Sequence, residues 1–165
     1  MGIDLKNWMQ NLPDGSDLLA LNLCGTHDCV TQHIRLPHFF CCQDLTIYEQ
    51  LLLGVRALDI RVRADGKCLT MVHGIFPAYN HSCHRANLMD MGDVLSQCYR
   101  FLDECPGEAV VFQFKNDNGK ENEQCFDNLF YTYIKGKEPY WYLEDQVPTL
   151  GAARGKLVLI RRCKM

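Results

Sequence analysis

The chain has 165 residues, 47% of them hydrophobic and 22% charged, with a net charge of −3. That length buries one ordinary core, so residues 1–165 read as a single domain. No basic stripe supports nucleic-acid binding, and no apolar run approaches the roughly 18 residues of a membrane span.

The stretch Asp4 to Leu12 carries Leu5, Trp8, Met9 and Leu12 at helical spacing, and Pro13-Asp14-Gly15 ends it. Leu18 to Leu23 is an apolar run short enough for a buried strand, bounded by Gly25. Asp44 is a candidate N-cap for a second helix, and Thr46 with Glu49 has the spacing of a capping box. Leu45, Tyr48 and Leu52 would line one face of that helix, and Gly54 closes it. Val55 to Val62 and Cys68 to His73 read as strands. Val94, Leu95, Cys98, Phe101, Leu102 and Cys105 then form the apolar stripe of an amphipathic helix stopped by Pro106-Gly107. Ala109 to Phe114 is the strongest strand, apolar nearly throughout as doubly covered parallel strands are. Phe126, Leu129, Phe130, Tyr133 and Ile134 mark another helix, and Lys156 to Ile160 a last strand. Strands alternating with helices predict an α/β protein with a mainly parallel sheet. The last strand lies near the end of the chain, so its far edge calls for a second copy of the chain or for further residues.

Ten cysteines are many for this length, but they contain no C-x-x-C knuckle for zinc. Cys98 and Cys105 fall on the apolar helix face, where a thiol packs as a small hydrophobe. The opening Met1-Gly2-Ile3-Asp4-Leu5-Lys6 lacks the pattern of a signal peptide, and Lys6 leaves a myristoylation motif incomplete. Reduced, mostly buried thiols in a cytoplasmic setting are therefore expected, with a Cys83 to His81/His84 metal cluster as the weaker alternative.

Strand ends carry the chemistry in parallel α/β folds. His27-Asp28, Arg61 and His73 fall at such ends, Lys115 ends the fourth strand, and Arg161-Arg162 the fifth. Two imidazoles can divide general base from general acid near neutral pH. An arginine beside them forks onto phosphoryl oxygens. Asp28 and Asp59 would orient or charge-stabilise those groups. His33, His38, His81 and His84 sit in loop-like stretches and read as surface residues. Ile75 to Tyr79, after His73, reads either as a rim loop or as an aromatic membrane contact.

The order of several motifs resembles the X domain of bacterial-type phosphatidylinositol-specific phospholipase C. They are Asn7-Trp8-Met9 with Leu12-Pro13-Asp14, Leu21 to Cys29, Cys42 to Leu51, Gly54 to Arg61 and Val72-His73-Gly74. Phe101-Leu102 with Pro106-Gly107-Glu108, and Ala153 to Val158, extend the resemblance over nearly the whole chain. It implies a distorted TIM-type barrel, here incomplete, acting on phosphatidylinositol-type lipids by intramolecular phosphoryl transfer. His27 would be the general base toward the inositol 2-hydroxyl, and His73 the general acid with Asp28 as its carboxylate partner. Arg61, supported by Asp59, would stabilise the phosphorane, while Lys115 and Arg162 would contact the head group.

The resemblance further implies no cofactor and no metal, since Arg61 stands where calcium-using relatives place a cation. Cys24 and Cys29 stand where the family usually has Pro and Ser. The family also brings an Asp from a later strand to orient the base histidine, and that strand lies beyond residue 165. Weak activity of the isolated chain is the expectation. A non-catalytic lipid or inositol-phosphate binding module, or a phosphodiesterase for another head group, are the alternatives.

Overall fold

The computed structural model describes residues 4–65, 67–82, 84–117 and 123–162. Its centre is a sheet built from β2 (Ala57–Asp65), β3 (Cys68–His73), β5 (Val110–Asn116) and β7 (Leu157–Arg161), extended by three two-residue strands. These are β1 (Gly25–Thr26), β4 (Phe76–Pro77) and β6 (Trp141–Tyr142). The order is β4-β3-β2-β5-β7-β6, with β1 also pairing with β2, and among the described residues the sheet is not closed. β1/β2, β2/β5, β5/β7 and β6/β7 are parallel, whereas β3 runs antiparallel to β2 and to β4.

Strand alternation divides the sheet into two faces. Leu58, Ile60 and Val62 of β2 and Val110, Phe112 and Phe114 of β5 are buried against the helices. α3 (Met91–Glu104) supplies Val94, Leu95, Cys98, Phe101 and Leu102 to this core, as its periodicity predicts. Its N-terminus is fixed by a reciprocal Asp90–Asp93 capping box. α4 (Glu123–Ile134) stacks Phe126 and Phe130 on Phe114, with ring centroids 5.3 and 4.4 Å apart. On the opposite face the register sets Asp59 beside Gln113 and Arg61 beside Lys115.

Three local expectations are corrected. The helix expected over Asp4–Leu12 is a single 3-10 turn at Leu5–Asn7. The strand expected over Leu18–Leu23 is a 3-10 turn at Leu18–Ala20 followed by extended chain. Both segments are consumed by a second apolar cluster in which Met9 and Leu18 pack with Ala109, Leu150, Ala153 and Val158. Tertiary packing thus overrides the local apolar pattern. α2 (Ile47–Leu52) begins at Thr46, which forms the capping box with Glu49, and not at Asp44. It buries Ile47, Gln50 and Leu51, leaving Leu45 exposed. Two further short helices, α1 (Pro37–Phe40) and α5 (Leu150–Ala153), carry no apolar periodicity long enough to be read from sequence.

Arg56 and Glu108 tie the two clusters together. Both are fully buried, with the guanidinium 2.8 Å from the carboxylate. Arg56 also donates to the carbonyls of Leu51, Val55 and Lys6, and Glu108 accepts the Met9 amide. Arg154 sews the N-terminal segment down by donating to the carbonyls of Met9, Leu12 and Gly107.

Eight cysteines lie in the described residues, all free, but only Cys29, Cys98 and Cys105 are buried. The expectation of mostly buried thiols is therefore corrected. Cys83 lies outside the described residues, so the Cys83 cluster with His81 and His84 does too. No helix among the described residues is long and apolar enough to cross a membrane.

Candidate active site

β1 ends at Thr26, and the turn that follows throws His27 outward and Asp28 inward. Asp28 adopts a left-handed backbone, φ 45°, which Asp tolerates better than most side chains. The turn is pinned to β2: the Asp28 amide donates to Asp59 Oδ2 at 3.3 Å and the Cys29 amide to the Asp59 carbonyl at 3.3 Å. Buried Thr31 accepts the Cys42 amide and donates to the Asp28 carbonyl, tying the Cys42 segment to the same turn.

Arg61 is the hub. Its Nε lies 3.0 Å from Asp28 Oδ1 and 3.1 Å from Asp59 Oδ2, and its Nη1 4.0 Å from Asp117 Oδ2. His27 sits over it, with Nδ1 3.1 Å from Asp59 Oδ2 and 3.3 Å from Arg61 Nη2. His73, at the end of β3, has Nδ1 3.2 Å from the Phe40 carbonyl and 3.4 Å from Asp28 Oδ2. Asp28 Oδ2 is also 3.4 Å from Nε2 of His27, and the two imidazole centroids are 6.5 Å apart. All five residues expected at the centre, His27, Asp28, Asp59, Arg61 and His73, are thus brought together.

The two outer residues converge less tightly. Lys115 neighbours Arg61 in the sheet register and is ion-paired to Asp117 at 2.6 Å. Arg162 joins His27, Asp59 and Gln113 around an open cavity of about 280 Å³.

Charge is unevenly balanced within the cluster. Burial pushes the Asp28 carboxyl up, against the opposing pull of Arg61, His73 and His27. Burial acts the same way on Asp59, but hydrogen bonds from Arg61, the Asp28 amide and Gln113 prevail and hold it below its ordinary value. Asp117 is likewise held down by Lys115 and the Gly74 amide despite partial burial. Arg61 remains a cation, its burial outweighed by Asp59 and Asp28.

Several neighbours do not stand out in the sequence. Gln113 donates to Asp59 Oδ1 at 3.0 Å, and Asp117 accepts the Gly74 amide at 3.0 Å. Asp117 carries a signal, since it lies two residues past Lys115 at a strand end. Cys42, with Sγ 3.9 Å from His73 Nδ1, carries none, because a loop delivers it. The contact of Asp59 with His27 is likewise new, since the family resemblance pairs Asp59 with Arg61 alone.

His33 is half-buried and His38, His81 and His84 are exposed, as expected of surface residues, although His38 lies in α1 and not in a loop. The segment after His73 divides: Ala78 and Tyr79 are buried and Phe76 partly so, leaving Ile75 as its exposed apolar residue. Leu36 and Phe39, which no sequence pattern marks, are exposed near the same mouth, where Phe40 packs tilted against Phe76 and edge-on against His73. For a metal ion, His27, Asp28 and Cys42 offer ligand atoms all within 4.8 Å of one another.

No protein-family model matches the chain. It is 27% identical over 169 residues to the 1-phosphatidylinositol phosphodiesterase of Listeria monocytogenes, covering 96% of this chain and 49% of that protein. The enzyme of the same name from Staphylococcus aureus strain Newman is 28% identical over 166 residues, with 95% and 51% covered. The solved Staphylococcus aureus phosphatidylinositol-specific phospholipase C superposes with a TM-score of 0.80 at 28% identity, covering 96% of this chain and 53% of that one. The Listeria monocytogenes structure gives 0.78 at 27% identity, with 97% and 57% covered. These neighbours are TIM-type barrels, and the unclosed, mostly parallel α/β sheet described above matches about half of one. In sequence and in fold, this chain is similar to the bacterial phosphatidylinositol-specific phospholipases C, and it spans about half the length of the relatives it matches.

Proposed function

We propose that the site cleaves phosphatidylinositol-type lipids by intramolecular phosphoryl transfer, releasing inositol 1,2-cyclic phosphate and diacylglycerol. The observation that carries this reading is the convergence of two imidazoles and one guanidinium on the buried carboxylate of Asp28.

With His27 Nδ1 turned to Asp59, its Nε2 is the nitrogen left to take the proton of the inositol 2-hydroxyl. That oxygen attacks the adjacent phosphorus, and the bond from phosphorus to the glycerol oxygen breaks. His73, held through Nδ1 by the Phe40 carbonyl and Asp28, delivers a proton to the leaving oxygen. Arg61 neutralises the charge that accumulates on the phosphoryl oxygens in between. Lys115 and Arg162 hold the inositol hydroxyls from the rim. No step requires a metal ion, because Arg61 supplies the positive charge.

The lipid reaches this mouth at a membrane surface. Leu36, Phe39 and Ile75 are exposed beside it, and the related Staphylococcus aureus phospholipase C is an enzyme whose membrane binding can be modulated. Among the described residues, no strand pairs with the flank of β7 at 159–161 beyond its contact with β6, so that flank suits either a further strand or a second copy of the chain.

The test is turnover of phosphatidylinositol vesicles followed by phosphorus NMR, in the presence of chelator. Cyclic phosphate should appear, and His27→Ala and His73→Ala should each lower the rate by about 10²–10⁴-fold while vesicle binding persists. Binding without turnover in the parent chain points instead to a binding module. Loss of activity on chelation points to a metal-dependent phosphodiesterase.

A further inference from the structure

We propose that the mouth of this site is also a binding site for a thiophilic divalent cation of the zinc class, held by His27 Nε2, Asp28 Oδ2 and the Cys42 thiolate with water completing the tetrahedron. Its inhibitory consequence rests on the reading of His27 as the base. The binding itself does not.

The donor set is the first ground. One imidazole, one thiolate and one carboxylate form a mixed nitrogen, sulfur and oxygen set that suits zinc and disfavours magnesium and calcium, which take oxygen ligands. Zinc distances of roughly 2.0–2.3 Å place tetrahedral ligand atoms about 3.3–3.8 Å apart. His27 Nε2 and Asp28 Oδ2 already stand at 3.4 Å, and the whole trio lies within 4.8 Å, so a rotation of the exposed Cys42 side chain completes the site.

The second ground is Asp28 itself. It is 1% exposed, yet neither of its carboxylate oxygens has an aligned hydrogen bond. Arg61, His27 and His73 approach it as ion-pair neighbours only. Arg61 lies against Oδ1, which leaves Oδ2 between His27 and His73, each 3.4 Å away. A buried carboxylate without an aligned hydrogen bond, beside an exposed imidazole and an exposed thiol, is a ready acceptor for a cation.

The surroundings hold the ligands as outer partners hold metal ligands elsewhere. Asp59 Oδ2 at 3.1 Å from His27 Nδ1 gives the carboxylate–histidine pairing that orients metal-bound imidazoles. Thr31, bridging the Cys42 amide to the Asp28 carbonyl, fixes the separation of the two segments that supply the ligands. His27 and Cys42 are both exposed, so a path for the ion is open. Occupancy takes up the His27 lone pair that would receive the 2-hydroxyl proton, and turnover stops.

Cobalt(II) is the probe, titrated into the full chain while the thiolate-to-cobalt charge-transfer absorption is followed, with zinc added in competition. One equivalent should produce the band and zinc should abolish it. Cys42→Ser should remove the band and weaken zinc binding, measured by calorimetry, by at least about 10-fold. His27→Gln should weaken it similarly, and Cys125→Ser should change nothing. Absence of the band in the parent chain, or its persistence in Cys42→Ser, overturns the site. A chain that shows the Cys42-dependent band but turns over no lipid keeps the cation site and loses the catalytic reading. Turnover insensitive to zinc in a chain without the band does the reverse.

Discussion

Asp59 places one carboxylate oxygen 3.1 Å from Nδ1 of His27, and the same oxygen lies 3.1 Å from Nε of Arg61. A single side chain on β2 therefore orients the proposed base and the proposed charge stabiliser together. Asp59→Asn keeps the shape but removes the negative charge and turns one of the two accepting positions into a donor, and it should lower kcat by about 10–100-fold with little change in KM. Gln113→Leu, which removes only a donor to the other oxygen of Asp59, should cost less. Equal effects of the two substitutions on kcat would show that Asp59 acts only as packing.

The same carboxylates give opposite contributions to the pH dependence of stability. Asp59 is held below its ordinary value of 3.8, so its stabilisation is complete above that value and is lost as pH falls through the folded one. Asp28 is raised by burial above the same ordinary value, so its contribution is complete below 3.8 and is lost as pH rises through the folded one. On acidification, Tm of Asp59→Asn should therefore fall less steeply than that of the parent, and Tm of Asp28→Asn more steeply. Calorimetric scans across a pH series read both slopes, and parallel slopes in the two variants contradict this assignment.

Phe39 is 80% exposed in α1, close in the chain to the exposed Leu36. Fully burying one such side chain is worth about 1.5–3 kcal/mol. Phe39→Ala should weaken sedimentation with phosphatidylinositol vesicles by about 10-fold and leave Tm nearly unchanged, because the ring is largely exposed and meets only its neighbour Phe40. Vesicle binding equal to the parent's removes Phe39 from the membrane contact.

Glu108→Gln leaves the Arg56 guanidinium buried without its counter-charge. Breaking a buried pair this way costs about 3–5 kcal/mol, and urea denaturation should register a loss of that size. Arg100→Gln, which breaks a solvent-exposed pair with Glu104, should barely register. A small loss for Glu108→Gln would mean that water reaches the pair.

How much of this is legible in the sequence depends on whether local pattern and tertiary packing agree. α3 and β5 are legible because their apolar residues follow a single period over a whole element. The stretch Leu18–Leu23 is not, because its leucines serve the second apolar cluster and make no strand ladder. His27, Asp28, Arg61 and His73 are legible as polar groups at the ends of apolar runs. Cys42 and Phe40 are not, since a loop and the one-turn helix α1 bring them to His73 and no periodicity describes either. Asp59 falls on the expected strand, but its shared hold on His27 depends on a turn about thirty residues earlier in the chain.

The alternation along β2 has a consequence for how this fold tolerates change. Leu58, Ile60 and Val62 point one way into the core, and Asp59 and Arg61 the other way into the cleft. A slip of one residue would drive a carboxylate and a guanidinium into hydrocarbon and push three apolar side chains into water. Greasy residues that touch no substrate thereby act as the alignment gauge for the reactive ones. A polar replacement at Ile60 should blunt the chemistry on the opposite face before it unfolds the chain.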